Sequence, residues 1–266
     1  MGSATWAEIA GAQFRLLTFR SAGDIWVRGR QRAMIWGFMT TWLAGVGRYW
    51  DHPDAWWWQY AGLGSVVYVF VLAGIITALV KPLCVGRFEY RDVLLFLTLT
   101  SLPALLYATP VERFLHVDTA LAANVWFLAV VAIWRVGLYM AFLGSYARLR
   151  GFRLIVATMS PLVAVIVVLS VLNLEQAVFN IMAGIGGART EGRDAQYGFT
   201  VLLALYSVLA SPVLLMAWLG GVFQAHKLRM LALAESEPPW EGAAASEAEP
   251  ATSGQPEQPL SSDAQA

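Results

Sequence analysis

Long uncharged stretches alternate with short charged ones along the chain. Residues 55–80, 93–111, 154–174 and 195–225 contain no Asp, Glu, Lys or Arg. A fifth run, 119–147, is broken only by Arg135. A sixth, AMIWGFMTTWLAGVG at 33–47, lies between Arg32 and Arg48. A helix needs about 20 mostly apolar residues to cross a bilayer, and Arg stems at the ends of a shorter run can snorkel to the interface. The pattern predicts an all-α polytopic membrane protein with six transmembrane helices, at about 33–50, 58–80, 93–110, 119–143, 154–174 and 198–223.

The arm at 1–32 has another periodicity. Trp6, Ile9, Ala10, Phe14 and Leu17 fall on one helical face, which predicts an amphipathic helix lying on the inner membrane surface. Its apolar run is too short and interrupted for a signal peptide.

Charge orients the spans. Under six crossings, one side collects Arg15, Arg20, Arg28, Arg30, Arg32, Lys81, Arg87, Arg91, Arg148, Arg150, Arg153, Lys227 and Arg229. The other side has only Arg48, Arg113, Arg189 and Arg193. Omitting the first span nearly equalises the two sides. The positive-inside rule therefore favours six spans with both termini cytoplasmic. The Tyr49, Trp50, Trp56, Trp57, Trp58 and Tyr60 cluster then falls at the outer interface, where such rings concentrate.

Composition agrees. The 266 residues are 58% hydrophobic and 14% charged, against about 45–50% and about 25% for an average soluble domain. That excludes a soluble globular domain and a nucleic-acid binder, and the single cysteine, Cys84, rules out an internal disulfide. The net charge of zero hides a partition, because Glu235, Glu237, Glu241, Glu247, Glu249, Glu257 and Asp263 follow the last span with no basic residue among them. Residues 226–266 therefore read as a cytoplasmic tail, disordered and acidic. The Arg, Ala, Leu and Trp bias points to a bacterial inner membrane.

Candidate chemistry is sparse. Arg135 is the one charge inside the predicted spans, where a central arginine costs about 2.5–3.5 kcal/mol on insertion scales. Pro103, Pro161 and Pro212 interrupt three spans and free the carbonyls of Leu99, Ala157 and Val208. Arg135 can cap such carbonyls, snorkel, or contact an anion. Asn124 and Asn173 can hydrogen-bond between helices. On the outer side His52, Glu112 and His116 offer a weak acid–base or metal set, without an HExxH spacing. The run AGIGGARTEG matches no phosphate-binding motif. Neither catalytic, cofactor-binding nor metal residues can be assigned. SLPALLYA at 101–108 and ASPVLLMA at 210–217 suggest a three-plus-three inverted repeat.

The basic loop KPLCVGRFEYRDV, the span TSLPALLYATP, the span NVWFLAVVAIWRVGLYMAFL and the segment ATMSPLVAVIVVL give residues 81–225 a layout that resembles the Yip1-type membrane domain. The resemblance implies an integral membrane protein acting through protein or lipid contacts, without catalytic residues to carry over. The leading expectation is thus a non-enzymatic protein contacting membrane lipids, protein partners or further copies of itself. The first alternative is a transporter or channel for a small or anionic solute using Arg135 and the proline-bearing helices. The second is a membrane enzyme with the outward His/Glu set.

Overall fold

A computed structural model describes residues 4–21, 29–50, 56–109, 114–172 and 192–236. Among these the protein is helical without strands. The α-helices are α1 (Trp6–Leu17), α2 (Arg30–Tyr49), α3 (Trp57–Tyr60), α4 (Leu63–Val80), α5 (Tyr90–Leu99), α6 (Val117–Ser145), α7 (Gly151–Val171) and α8 (Gly192–Ser236). Residues 1–227 form one compact unit and 228–266 a second, of which the last turns of α8 are described.

Four segments are long and apolar enough to cross a membrane: Leu63–Leu83, Ala122–Ser145, Gly151–Val171 and Val201–Ala234. This is consistent with an integral membrane protein. The remaining two predicted spans coincide with α2 and with α5 plus its continuation. Arginines and the Thr40–Thr41 pair dilute the apolar character of α2, and α5 is only 10 residues long.

The shortness of α5 has a covalent cause. Proline at 103 has no N–H and its ring excludes the carbonyl four residues earlier. The α-helix stops at Leu99, and Leu102–Ala108 continues as a 3-10 helix. The other two prolines differ from the broken helices expected, because Pro161 and Pro212 lie inside continuous α7 and α8. The proposed repeat therefore joins a 3-10 segment to an α-helical one.

Each of the three carbonyls freed by Pro103, Pro161 and Pro212 has a side-chain donor. Gln13 Nε2 donates to the Leu99 carbonyl at 2.8 Å, the Tyr139 hydroxyl to Ala157 at 3.1 Å, and Ser211 Oγ to Val208 at 2.8 Å. Arg135 caps none of the three. The geometric need read from the sequence is met by neutral donors, which carry no charge to desolvate.

The donor for Leu99 comes from α1. This helix opens on a capping box, with Glu8 N donating to Thr5 Oγ1 at 3.3 Å and Thr5 N to Glu8 Oε2 at 2.7 Å. It ends where Phe19 takes φ 61° and Arg20 N donates back to the Arg15 carbonyl at 2.8 Å, the left-handed termination common at helix C-termini. The apolar face expected for α1 is divided. Ile9, Ala12 and Leu17 are buried with Ala33, Leu95 and Leu99 nearby, whereas Trp6 and Phe14 are exposed.

Tryptophan N–H groups tie the helices at carbonyls that helix ends leave open. Trp134 Nε1 donates to Leu17 at 3.0 Å, Trp42 to Ala61 at 2.9 Å, Trp50 to Ala108 at 3.0 Å and Trp218 to Leu79 at 2.7 Å. Close approach of α2 to α5 depends on Gly37, where a Cβ would sit 2.4 Å from Thr98 Oγ1.

Tyr139→Phe should destabilise the folded protein by about 1–3 kcal/mol, the cost of leaving a buried carbonyl unsatisfied. In a Pro161→Ala background a backbone N–H returns and that cost should largely vanish. A double-mutant cycle by reversible unfolding in detergent measures the coupling, and equal costs in both backgrounds would refute the capping role.

Candidate functional site

Polar side chains gather at two levels of the bundle, both built from α2, α5 and α6. The first lies where these helices share an end. Asp92 is in the first turn of α5 and is buried. Its carboxylate pairs with Arg30 at the start of α2 and accepts from the Tyr146 hydroxyl just beyond α6. Arg30 also lies 3.7 Å from Glu89, whose carboxylate accepts from Arg87 Nε at 2.5 Å.

That hydrogen bond from Arg87 holds the Glu89 carboxyl below its ordinary range. Partial burial pushes the Tyr146 phenol up, against the pull of Arg30, and keeps it a neutral donor. The sequence reading treats Asp92 as a loop residue flanking the third span, because its hydropathy excludes it from the apolar run. The structure corrects this, since Asp92 is a buried ion-pair centre of the bundle.

The second level is the break after Leu99. Gln13 places its amide between α2 and α5: Nε2 reaches the Leu99 carbonyl, and Oε1 accepts from Trp36 Nε1 at 2.7 Å. Thr41 Oγ1 donates to Ser101 Oγ at 3.0 Å, and Ser101 Oγ donates to the Thr98 carbonyl at 2.7 Å. Thr40 Oγ1 donates to the Gly37 carbonyl at 2.9 Å, and Thr100 Oγ1 to Phe96 at 2.9 Å. Gln13, Thr40, Thr41, Thr98, Thr100 and Ser101 are all buried.

Arg135 belongs to this level. Asn124, Leu128, Val131, Arg135, Leu138 and Phe142 recur at i, i+4, i+7, i+11, i+14 and i+18 and so share one face of α6. Val131, Leu138 and Phe142 are buried, and Phe142 stacks on Phe96 of α5 at 4.4 Å, so the face points inward. Helices α5 and α6 run antiparallel, with Asp92 opposite Tyr146 and Phe96 opposite Phe142. Continued along the chain, that register brings Arg135 level with Pro103. Arg135 is half-buried, unlike Val131 and Leu138 on either side of it. It lies about 16 Å from Tyr146 at about 1.5 Å per residue.

The other predicted residues divide. Asn124 shares the inward face with Arg135, three turns away, and Pro103 forms the break itself. Pro161 and Pro212 act through their capped carbonyls. His116 is exposed at the start of α6, at the N-cap position but without a side-chain capping bond. His52, Glu112 and Asn173 lie outside the described residues, as does the tail after 236. Among the described residues no group of three His, Cys, Asp or Glu side chains is placed to hold a metal. Gln13, Arg30, Thr40, Thr41, Asp92, Ser101 and Tyr146 were not singled out from the sequence. A polar residue within the apolar face of α1, and a Thr-Thr pair inside a span, were the available signals.

No protein-family model, no curated protein and no solved structure matches this chain.

The Glu89 carboxyl titrates lower in the folded state than in the unfolded chain. Its contribution is therefore present above the ordinary carboxylate pKa and is lost as pH falls through the lowered value. Wild type and Glu89→Gln should differ in melting temperature at neutral pH and converge in acid. A difference that persists unchanged in acid would show that the Arg87–Glu89 contact does not carry it.

Proposed function

We propose that the protein is a six-span integral membrane protein with both termini cytoplasmic, whose working centre binds and passes a small anionic solute. The single observation that carries this reading is Arg135, on the inward face of α6, level with the break in the third span. Its charge has no acidic neighbour along that face. A positive group held among apolar side chains at mid-depth is stabilised by an anion or by water reaching it. Discontinuous helices that present polar backbone near the membrane centre are a recurring construction of solute sites.

The break supplies the uncharged part of such a site. Thr100 and Ser101 sit where the α-helical hydrogen-bond ladder lapses. Next to them the Thr40 and Thr41 hydroxyls and the Gln13 amide form a polar wall. Pairing of α2 with α5 along this wall supports counting both as spans, and the eleven basic residues that gather on one side, Arg15 and Arg20 of the α1 region set aside, against four on the other, support the orientation. In this arrangement α1 descends beside α2 to the break, because Ala4 meets Arg32 near the basic end while Gln13 reaches Leu99. That makes α1 a re-entrant helix rather than one lying along the surface. Contact with partner proteins, the leading expectation from the sequence, rests on no comparable feature among the described residues.

The test is flux in proteoliposomes, using chloride, inorganic phosphate and a three-carbon monocarboxylate as probes. Wild type should carry at least one of them. Arg135→Gln should lower that flux at least tenfold while the protein stays folded, and Arg135→Lys should retain part of it. Equal flux in wild type and a folded Arg135→Gln would overturn the reading. The topology has its own check: a reporter at the C-terminus active only outside the cytoplasm would break it.

A further inference from the structure

The level at Asp92 and the level at the break are stacked along the same three helices. Arg30 and Thr40–Thr41 lie on α2, Asp92 and Thr98 on α5, and Arg135 on α6, with Tyr146 at that helix's C-cap. Aromatic rings fill the space between the levels. Phe142 stacks on Phe96 at 4.4 Å and on Tyr146 at 5.0 Å, and Phe96 approaches Tyr139 at 6.3 Å. A solute leaving the break toward the basic end along these helices meets first this column and then the ion-pair layer.

We propose that the Arg30–Asp92–Tyr146 layer, with the aromatic column above it, is a gate that closes the proposed solute centre on the basic side. The proposal rests on the solute reading of the preceding subsection and adds the conformational element that reading lacks. Three observations point to a contact built to part rather than a permanent staple.

First, Arg30 is incompletely satisfied. Its Nε is buried without a hydrogen-bond partner among the described residues, although the other end of the guanidinium pairs with Asp92. A buried donor left open is unfavourable, which lowers the cost of leaving this arrangement. Second, Arg30 has two alternative acceptors. Glu89 stands 3.7 Å away and, like Arg30, is about one-third exposed, at 33% and 34%. When Asp92 is released, Arg30 can transfer to Glu89 without losing a counter-charge. Third, the three partners sit on separate elements at their ends. Arg30 is the first residue of α2, Asp92 is in the first turn of α5, and Tyr146 is the C-cap of α6. End residues can separate while the mid-helix contacts hold.

The experiment uses the full chain in proteoliposomes. Cys84→Ala removes the native thiol, and Ser101→Cys places a reporter at the break. A membrane-impermeant maleimide is applied from each side in turn. Asp92→Asn should raise the labelling rate from the basic side at least tenfold and leave the rate from the other side unchanged. Exchanging the charges, Arg30→Asp with Asp92→Arg, should restore slow labelling, which a loss of packing would not do. If Asp92→Asn fails to fold, Arg30→Cys with Asp92→Cys provides the second route, with Ser101 restored. Oxidation of that pair should abolish flux of whichever probe anion the parent carries, and reduction should recover it.

Unchanged labelling in a folded Asp92→Asn protein would overturn the gate, as would full flux through the oxidised pair. The two readings fail separately. Arg135-dependent flux without any Asp92 effect sinks the gate alone. An Asp92-dependent change in labelling, with flux indifferent to Arg135, sinks the anion reading and keeps the gate.

Discussion

A single missing N–H just beyond α5 sets the arrangement around it. Proline at 103 leaves the Leu99 carbonyl without its helical donor, among buried side chains. A buried carbonyl must find a donor or destabilise the fold by about 1–3 kcal/mol. Gln13 provides the donor, and with it α1 becomes an integral piece of the bundle. Trp36 then fixes the Gln13 amide by donating to its oxygen, which sets the direction of its N–H groups. The position of α1 against α2 and α5 thus follows from a backbone defect ten residues into α5's neighbourhood, and hydrophobic burial of Ile9 and Ala12 adds to it.

The three prolines show how the same defect is absorbed at different distances. In α8 the donor is local: Ser211, beside Pro212, returns its hydroxyl to Val208, and the helix continues. In α7 the donor is the facing helix, where Tyr139 reaches Ala157 and α7 also continues. At Pro103 the donor comes from a helix 86 residues away in sequence, and of the three it is here that the α-helix yields to a 3-10 segment. The local answer leaves a helix self-contained. The distant one couples separate elements, which is why the polar wall forms at Pro103 and not at the other two.

That hierarchy explains what was legible in the sequence. The location of each defect is a covalent matter, so Leu99, Ala157 and Val208 can be named from the prolines alone. The identity of the donor is a tertiary matter. Arg135 has the most N–H groups of any residue inside the spans predicted from the sequence and is the natural guess from a list of residue types, yet Gln13, Tyr139 and Ser211 hold those positions. Helix extents follow an apolar run and its flanking charges where no proline intervenes: α6 at Val117–Ser145 covers 119–143, whereas α5 stops at Leu99, short of the apolar run's end at 111. Asp92 was missed for the converse reason. Hydropathy treats an acid as the boundary of a span, and only the approach of Arg30 and Tyr146 makes its burial affordable. The inward direction of Arg135 was available from the sequence in principle, since Asn124, Leu128, Val131, Leu138 and Phe142 repeat with it, but nothing in the pattern says which stripe of an all-apolar helix faces the protein.

Arg135 therefore stands apart from the other polar residues near it. The Gln, Thr and Ser groups at the break donate to carbonyls that need them, and the Arg30–Asp92–Tyr146 layer pairs charge with charge. Arg135 lies between Val131 and Leu138 on a face with no acid. Pro103, opposite it, creates an acceptor that Gln13 has already taken. The acceptor is occupied and the face is directed inward, which supports the proposal that half-buried Arg135 attracts negative charge into the bundle. The ion-pair layer about 16 Å away along the same helix is where such a charge would next be met.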